Sequence, residues 1–256
     1  MGPQPTRTPK PAPTDPLTRK LATWVSLSPD ETAILRGFQS STQIVPRKRD
    51  IITEGRKYDG LLVLLEGSAM RYRVLHDGRR QVLNIILPGD FIGFPGCFFD
   101  HALYSITALS QTVVSAISFV HLLHLFEAHP RLAATIFWSF SCEAAMYAEH
   151  LIDIGRRTAI ERVAHFLLEL LTRLQAVGLA DERSYQLPLT QELIGDALSL
   201  SLPRVNHALR QLREGGLVAI ENRRVTLKDL ESLAALADFE RTYLSRFRLA
   251  ELLAKS

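Results

Sequence analysis

The sequence predicts an α+β chain in three parts: a β-roll, then a long helix, then a small helical unit closed by a β-hairpin. Three observations carry this. Between Gln43 and about Phe119, short apolar runs alternate with turn signals at Glu54-Gly55, Asp59-Gly60, Glu66-Gly67, Asp77-Gly78 and Pro88-Gly89-Asp90, the pattern of short strands with glycine at the corners. After Pro130 the apolar spacing turns helical and stays so for many turns. From Leu189 to Val218 two short helical patterns meet at a tight turn and lead into a small hairpin. A chain of 256 residues, 46% of them hydrophobic, has enough apolar material to fill two modest cores.

Taken in order, residues 1–16 are rich in Pro and Thr and have almost nothing to bury, so a disordered tail is expected. Leu17 to about Phe38 reads as short helices: Leu17, Leu21, Trp24 and Val25 share a face, and Ser28-Pro29-Asp30-Glu31 is a helix start. The roll follows, and with these helices spans 17–130. Its run Pro46-Arg47-Lys48-Arg49-Asp50 reads most simply as a solvated strand edge. Residues 131–155 form the long helix and a hinge. Leu132, Ile136, Phe140, Tyr147, Leu151 and Ile154 make an apolar stripe that the roll alone cannot cover, so a partner helix is expected along it.

The C-terminal unit, 156–256, starts at the hinge Ile154-Gly155-Arg156-Arg157. Thr158 to Leu174 is an amphipathic helix, Gly178–Leu187 a polar connection ending in a short strand, and Asp229–Leu244 a closing helix. Between them, Thr190 caps a helix bearing Leu193, Ile194, Ala197 and Leu198; Gly195 falls where a second helix would cross closely. Ser201 caps that second helix, and Pro203 sits in its first turn, where a missing N–H costs nothing. Val205, Leu209 and Leu212 face inward, leaving Arg204, Asn206, His207, Arg210 and Arg213 outside. Gly215-Gly216 end it, and Leu217–Leu227 makes a hairpin with Arg223 and Arg224 at its tip. This is a winged helix-turn-helix, whose second helix suits a DNA major groove. The net charge is only +3, with pI near 9.0, so the local arginines are the better sign of a nucleic-acid partner.

The winged motif resembles the DNA-binding domain of the Crp–Fnr family of bacterial transcription regulators. The segments LLVLLEGSAMRYRVLHDGRRQVL and LPGDFIG resemble that family's sensor roll. The resemblance implies a homodimer held by the long helix, through Ile136, Phe140, Tyr147, Leu151 and Ile154. It implies double-stranded DNA as partner, with Thr190, Gln191, Ser201, Arg204, Asn206, His207, Arg210, Arg223 and Arg224 as contacts on a pseudo-palindrome, and RNA polymerase as a further partner. The chain departs from the best-known members where they carry Glu, Gly or Ser, and Arg on the groove face: here Pro203, Asn206 and His207 stand. Asn206 suits adenine, and His207 or Arg204 suits guanine. Ser199 replaces the usual turn glycine.

The sensor chemistry is less legible. Cyclic-nucleotide members use a Gly-Glu pair for the ribose and an Arg-Ser pair for the phosphate; here the latter position falls at about Ala102-Leu103. The segment Phe91–Phe99 offers Phe91, Phe94 and Cys97 instead, so cyclic AMP is not expected and any effector should be small and largely apolar; against this, one of Arg71, Arg73, Arg79 and Arg80 could reach inward from a strand and serve a phosphate by another route. Two cysteines cannot supply an iron–sulfur cluster, and no haem motif surrounds His76, His101, His121, His124 or Cys97. The same two cysteines make no disulfide framework or metal site. No apolar run is long enough to span a membrane, and no secretory leader core is present, so a cytoplasmic protein is expected. No catalytic constellation or phosphate loop appears, so no enzyme is expected. Two other readings stay open: a haem- or redox-based sensor regulator, and a ligand-binding scaffold without DNA activity.

Overall fold

The computed structural model describes residues 15–58, 60–187 and 189–245. Most of the proline-rich tail lies outside them, but its end is ordered. Asp15 caps α1 (Pro16–Ala22) by accepting from the Thr18 N–H, and Ser28 and Glu31 form a reciprocal capping box on α2 (Pro29–Gly37).

Among the described residues, eight strands build the roll: β1 (Thr42–Val45), β2 (Asp50–Ile52), β3 (Leu61–Glu66), β4 (Ala69–Val74), β5 (Arg80–Ile86), β6 (Phe91–Ile92), β7 (Ser105–Ala108) and β8 (Thr112–Ile117). They pair antiparallel in two sheets, β1-β8-β3-β6 and β2-β7-β4-β5. The glycine corners fall where the turn signals placed them. At the β3–β4 corner Gly67 has φ +83°, and a Cβ there would lie 2.3 Å from the Gln111 carbonyl oxygen, so only glycine fits.

A helix not foreseen in the sequence, α3 (Phe119–Ala128), closes the roll. Ser118 caps it, Leu122 and Leu125 turn inward, and Val120 and Leu123 face out. Apolar residues on both faces had hidden its period. The long helix α4 (Pro130–Gly155) is unbroken. Then come α5 (Ala159–Ala176), started by a Thr158–Glu161 capping box, β9 (Ser184–Gln186), α6 (Gln191–Leu198), α7 (Leu202–Glu214), β10 (Val218–Glu221), β11 (Arg224–Leu227), α8 (Leu230–Ala237) and α9 (Thr242–Ser245). β10, β11 and β9 form a small antiparallel sheet.

The closing helix expected over 229–244 is two helices. Asp238 adopts the left-handed conformation at φ 48°, which Asp tolerates better than most residues, and Phe239 turns in against the His165 ring, centroids 5.1 Å apart. The roll and the C-terminal unit share one apolar core, in which Met70, Val82, Ile85 and Leu87 of the β4–β5 region join α5, α6 and α7.

Candidate nucleic-acid interface

The two-helix motif is built from local constraints. Thr190 Oγ1 accepts from the Leu193 N–H and starts α6. Gly195 sits under the turn: a Cβ there would be 2.6 Å from the Leu200 carbonyl oxygen, so a side chain would push the helices apart. Ser199 takes the left-handed conformation at φ 54°, as a turn glycine would. Ser201 stands at the start of α7, but its hydroxyl makes no capping bond. Val205, Ala208, Leu209 and Leu212 are buried, and Pro203, Arg204, Asn206, His207, Arg210 and Arg213 are exposed.

Positions 203, 206, 207 and 210 fall on one helical face. There Arg210 Nη2 lies 2.9 Å from His207 Nδ1. A guanidinium only donates, so Nδ1 accepts and the imidazole proton sits on Nε2, facing outward as a donor. Thr190 and Gln191 are exposed at the entry of α6. In the wing, Asn222 and Arg223 both have positive φ, at 50° and 62°, as a two-residue hairpin turn requires. The wing arginines differ. Arg223 makes no side-chain bond among the described residues, whereas Arg224 is tied to Asp181 and, at 2.7 Å, to Ser184 Oγ.

The long helix has two apolar faces, which corrects the single stripe expected. Ile136 and Phe140 are buried within their own subunit. Phe140 packs on Phe91 at 5.2 Å between centroids and stacks on Phe94 at 4.0 Å. Tyr147 is turned to the roll and accepts from Arg71. The uncovered face holds Phe137, Ser141, Ala144, Ala148 and Leu151, spaced by alternate steps of four and three, with Phe137 68% and Leu151 72% exposed. That is the spacing of a coiled-coil seam. Ile154 is exposed near its end. A periodic sequence shows that a helix has apolar faces, not which neighbour covers each.

Inside the roll, Arg71 is buried and donates to Glu143 Oε1 at 2.5 Å. Burial works against its charge, but Glu143 and Tyr147 outweigh that and hold its pKa above the ordinary range. Arg73 is the other correction. Arg73 lies on the exposed end of β4 and pairs with Glu54 at 3.2 Å. Cys97 is buried, and burial pushes its thiol up to about 11, which leaves it inert. His76, His101, His121 and His124 are all exposed. Beneath Ala102, Leu103 and Phe94 the space is about 10 Å³, room for about one water.

Residues 161–236 match the Crp-like helix-turn-helix domain, and residues 42–129 match the cyclic nucleotide-binding domain. The nitrogen fixation regulation protein FixK of Bradyrhizobium diazoefficiens is 32% identical over 174 residues, which cover 68% of this chain and 72% of that protein. The chain belongs to the Crp–Fnr family. The transcriptional activator protein FnrL of Cereibacter sphaeroides is 28% identical over 177 residues, 68% of this chain and 71% of its own. The solved structure of FixK2 from Bradyrhizobium japonicum superposes with a TM-score of 0.69 at 28% identity, covering 77% of this chain and 96% of that one. The chain is thus a DNA-binding transcription regulator of the Crp–Fnr type. Among the described residues no helix is long and apolar enough to cross a membrane.

The cyclic nucleotide that the Crp–Fnr roll implies does not fit the residues present. A drug-sized ligand needs a cavity of roughly 300 Å³ or more. Here aromatic rings fill the space, Ala102 and Leu103 stand where the phosphate clamp would be, and Arg71 Nη1 is held by Glu143 and Tyr147 of α4.

One feature of this Crp–Fnr regulator escaped the sequence reading: a buried ionic chain joining the roll to the DNA-binding unit. Lys20 of α1 and Arg173 of α5 both hold Asp90 of the roll, at 2.6 and 2.7 Å. Arg173 also donates to the Ile85 carbonyl at 2.6 Å and to Glu169 at 3.1 Å, and Glu169 meets His150 of α4 at 2.9 Å. Beside it, Asp153, Arg157, Glu149 and His165 surround the hinge. Burial pushes Asp153 up to about 6 and pulls His165 down to about 4. Polar residues at apolar positions were the available signal, such as Glu169 inside the run FLLELL. On the other side of the junction Arg80 of the β4–β5 hairpin pairs with Asp196 of α6 (Nε to Oδ2 2.8 Å), and Ser199 Oγ donates to Gln81 at 2.8 Å.

Proposed function

We propose that the protein binds a pseudo-palindromic DNA site as a cytoplasmic homodimer and controls transcription there with RNA polymerase. In this reading 17–130 is the sensor unit, 131–155 the dimerisation helix and hinge, and 156–256 the DNA-binding unit. Two copies pair along the Phe137–Leu151 seam of α4 and set two α7 helices about one DNA turn apart. Asn206, His207 and Arg204 read base edges, while Thr190, Gln191, Ser201, Arg210 and Arg223 hold phosphates. Arg224 serves the wing's own sheet first.

The observation that carries this reading is the outward face of α7, where Arg210 presents the His207 Nε2–H as a donor. Signals would enter by shifting the ionic junction between roll and α5, a choice between two domain arrangements rather than filling of the roll.

Selection of bound genomic fragments gives the site, and titration of variants on it tests the roles. His207→Ala and Asn206→Ala should each cost roughly 1–3 kcal/mol on the selected site and little on random DNA. Arg223→Ala should weaken both alike and lower the salt slope by about one. No fragment enriched over input would leave a ligand-binding scaffold as the reading. Equal effects of His207→Ala and Arg223→Ala on both DNAs would remove the groove assignment.

A further inference from the structure

The hinge between α4 and α5 buries two polar atoms that face each other without a bond. Asp153, near the end of α4, and His165, on α5, are both buried. Asp153 Oδ2 lies 3.4 Å from His165 Nδ1, and neither atom has a hydrogen-bond partner among the described residues. A proton held between them would make the bond. The hinge itself supplies Arg157, which donates to Asp153 Oδ1 at 3.0 Å, to Glu149 at 3.0 Å and to the Asp238 carbonyl at 3.2 Å. On the far side of the imidazole, Nε2 is 3.5 Å from the Tyr243 hydroxyl of α9 and 3.6 Å from Glu149 of α4. The Asp238 carboxylate, at the end of α8, also acts on His165. His150 of α4 and Glu169 of α5 stand beside the pair but hold each other at 2.9 Å. The side toward β5 is uncharged. There Asn84, Ile85 and Leu198 help to enclose about 10 Å³, room for about one water.

Asp153 thus has one cation, shared with Glu149, and an uncharged wall. Burial outweighs Arg157 and pushes its carboxyl from 3.8 up to about 6. The cost of that charge falls on this buried arrangement and not on one that hydrates the carboxylate. A proton favours the arrangement with the higher pKa. Acid therefore favours the packing of α4 on α5 described above. Above pH 6 the charge favours any arrangement that lets water reach Asp153.

We propose that Asp153 and His165 form a proton site at the hinge, which holds α5 against α4 when filled and releases it when empty. This rests on the reading that a shift at the junction reaches α7. In the arrangement described, Asn206, His207 and Arg210 are exposed, so the filled site is the one that takes DNA. A carboxyl titrating at about 6 rather than about 4 moves the balance toward it about tenfold between pH 7.5 and pH 5, most of this below pH 6.

The test compares the full chain with Asp153→Asn, which is uncharged at every pH, on a duplex carrying the selected site. His207 is present in both proteins, so its own titration cancels in the ratio of their affinities. The variant should bind more tightly at pH 7.5, and wild type should recover about a factor of ten of the gap by pH 5. The variant should also melt above wild type at pH 7.5, by a margin that shrinks toward pH 5. In carbon-13 spectra of wild type, one aspartate carboxyl should titrate near pH 6 and be missing from the variant. A ratio of affinities that stays constant with pH overturns the proposal. So does a variant that melts below wild type at pH 7.5, which would mean that the charge holds the hinge, or a titration near pH 4. The melting and carbon-13 measurements need no DNA, so they decide the proton site even if no fragment binds and the reading of α7 fails.

Discussion

Glu169→Gln probes the buried junction most directly. Glu169 lies mid-way along α5, with 1% of its side chain exposed, and its oxygens are 2.9 Å from His150 Nε2 and 3.1 Å from Arg173 Nη1. Burial alone would push its carboxyl up. His150 and Arg173 reverse that and pull it from 4.5 down to about 2. At about 1.4 kcal/mol per pH unit, such a fall favours the folded state by roughly 3 kcal/mol at neutral pH. Because the folded value is below the unfolded one, this contribution is full above about pH 4.5 and drains away as pH falls toward 2. The raised pKa of His150 is the same pair seen from its other partner and adds nothing further.

Glutamine keeps the shape and an acceptor but is, in effect, a permanently protonated Glu169. The variant should therefore be about 3 kcal/mol less stable at pH 7, and the gap should close as pH falls below 4.5. Urea unfolding followed by circular dichroism at pH 7, 5, 4 and 3 measures it. Stability curves that run parallel over that range, or a gap under 1 kcal/mol at pH 7, would show that the ionic chain does not hold the junction.

Three further outcomes follow from the same geometry. Phe140→Ala should cost about 3–5 kcal/mol and leave the assembly intact, whereas Leu151→Asp should leave the fold unchanged and give monomers in sedimentation; the opposite pattern would put the seam on the wrong face of α4. Ser199→Gly should be more stable than Ser199→Ala by about 1 kcal/mol in thermal unfolding, because both lose the bond to Gln81 and only glycine relieves the left-handed backbone. Calorimetry with cyclic AMP should give no saturable heat at micromolar concentration, and a heat that disappears in Arg71→Met would refute the filled roll.

The parts of this protein that were legible in its sequence are those fixed by neighbours a few residues away. Gly195, Pro203 and the Ser201 start placed α6 and α7, and the glycine corners placed the strands, because backbone sterics act locally. What was hidden depends on which surfaces meet. Phe140 and Leu151 are equally apolar, yet one is core and the other exposed, and the position of Phe91 and Phe94 decides it. Arg71 and Arg73 share a strand, yet only Arg71 lies under α4, where Glu143 and Tyr147 meet it. The same holds for function. Asp90, Glu169 and His150, scattered over 80 positions, proved to be one chain of charge. Burying so many ions in one place is costly unless each is paired, so a single lost partner shifts the whole set. That dependence makes the junction sensitive to whatever moves the roll against α5, and it is there, rather than in the filled interior of the roll, that a signal could act on α7.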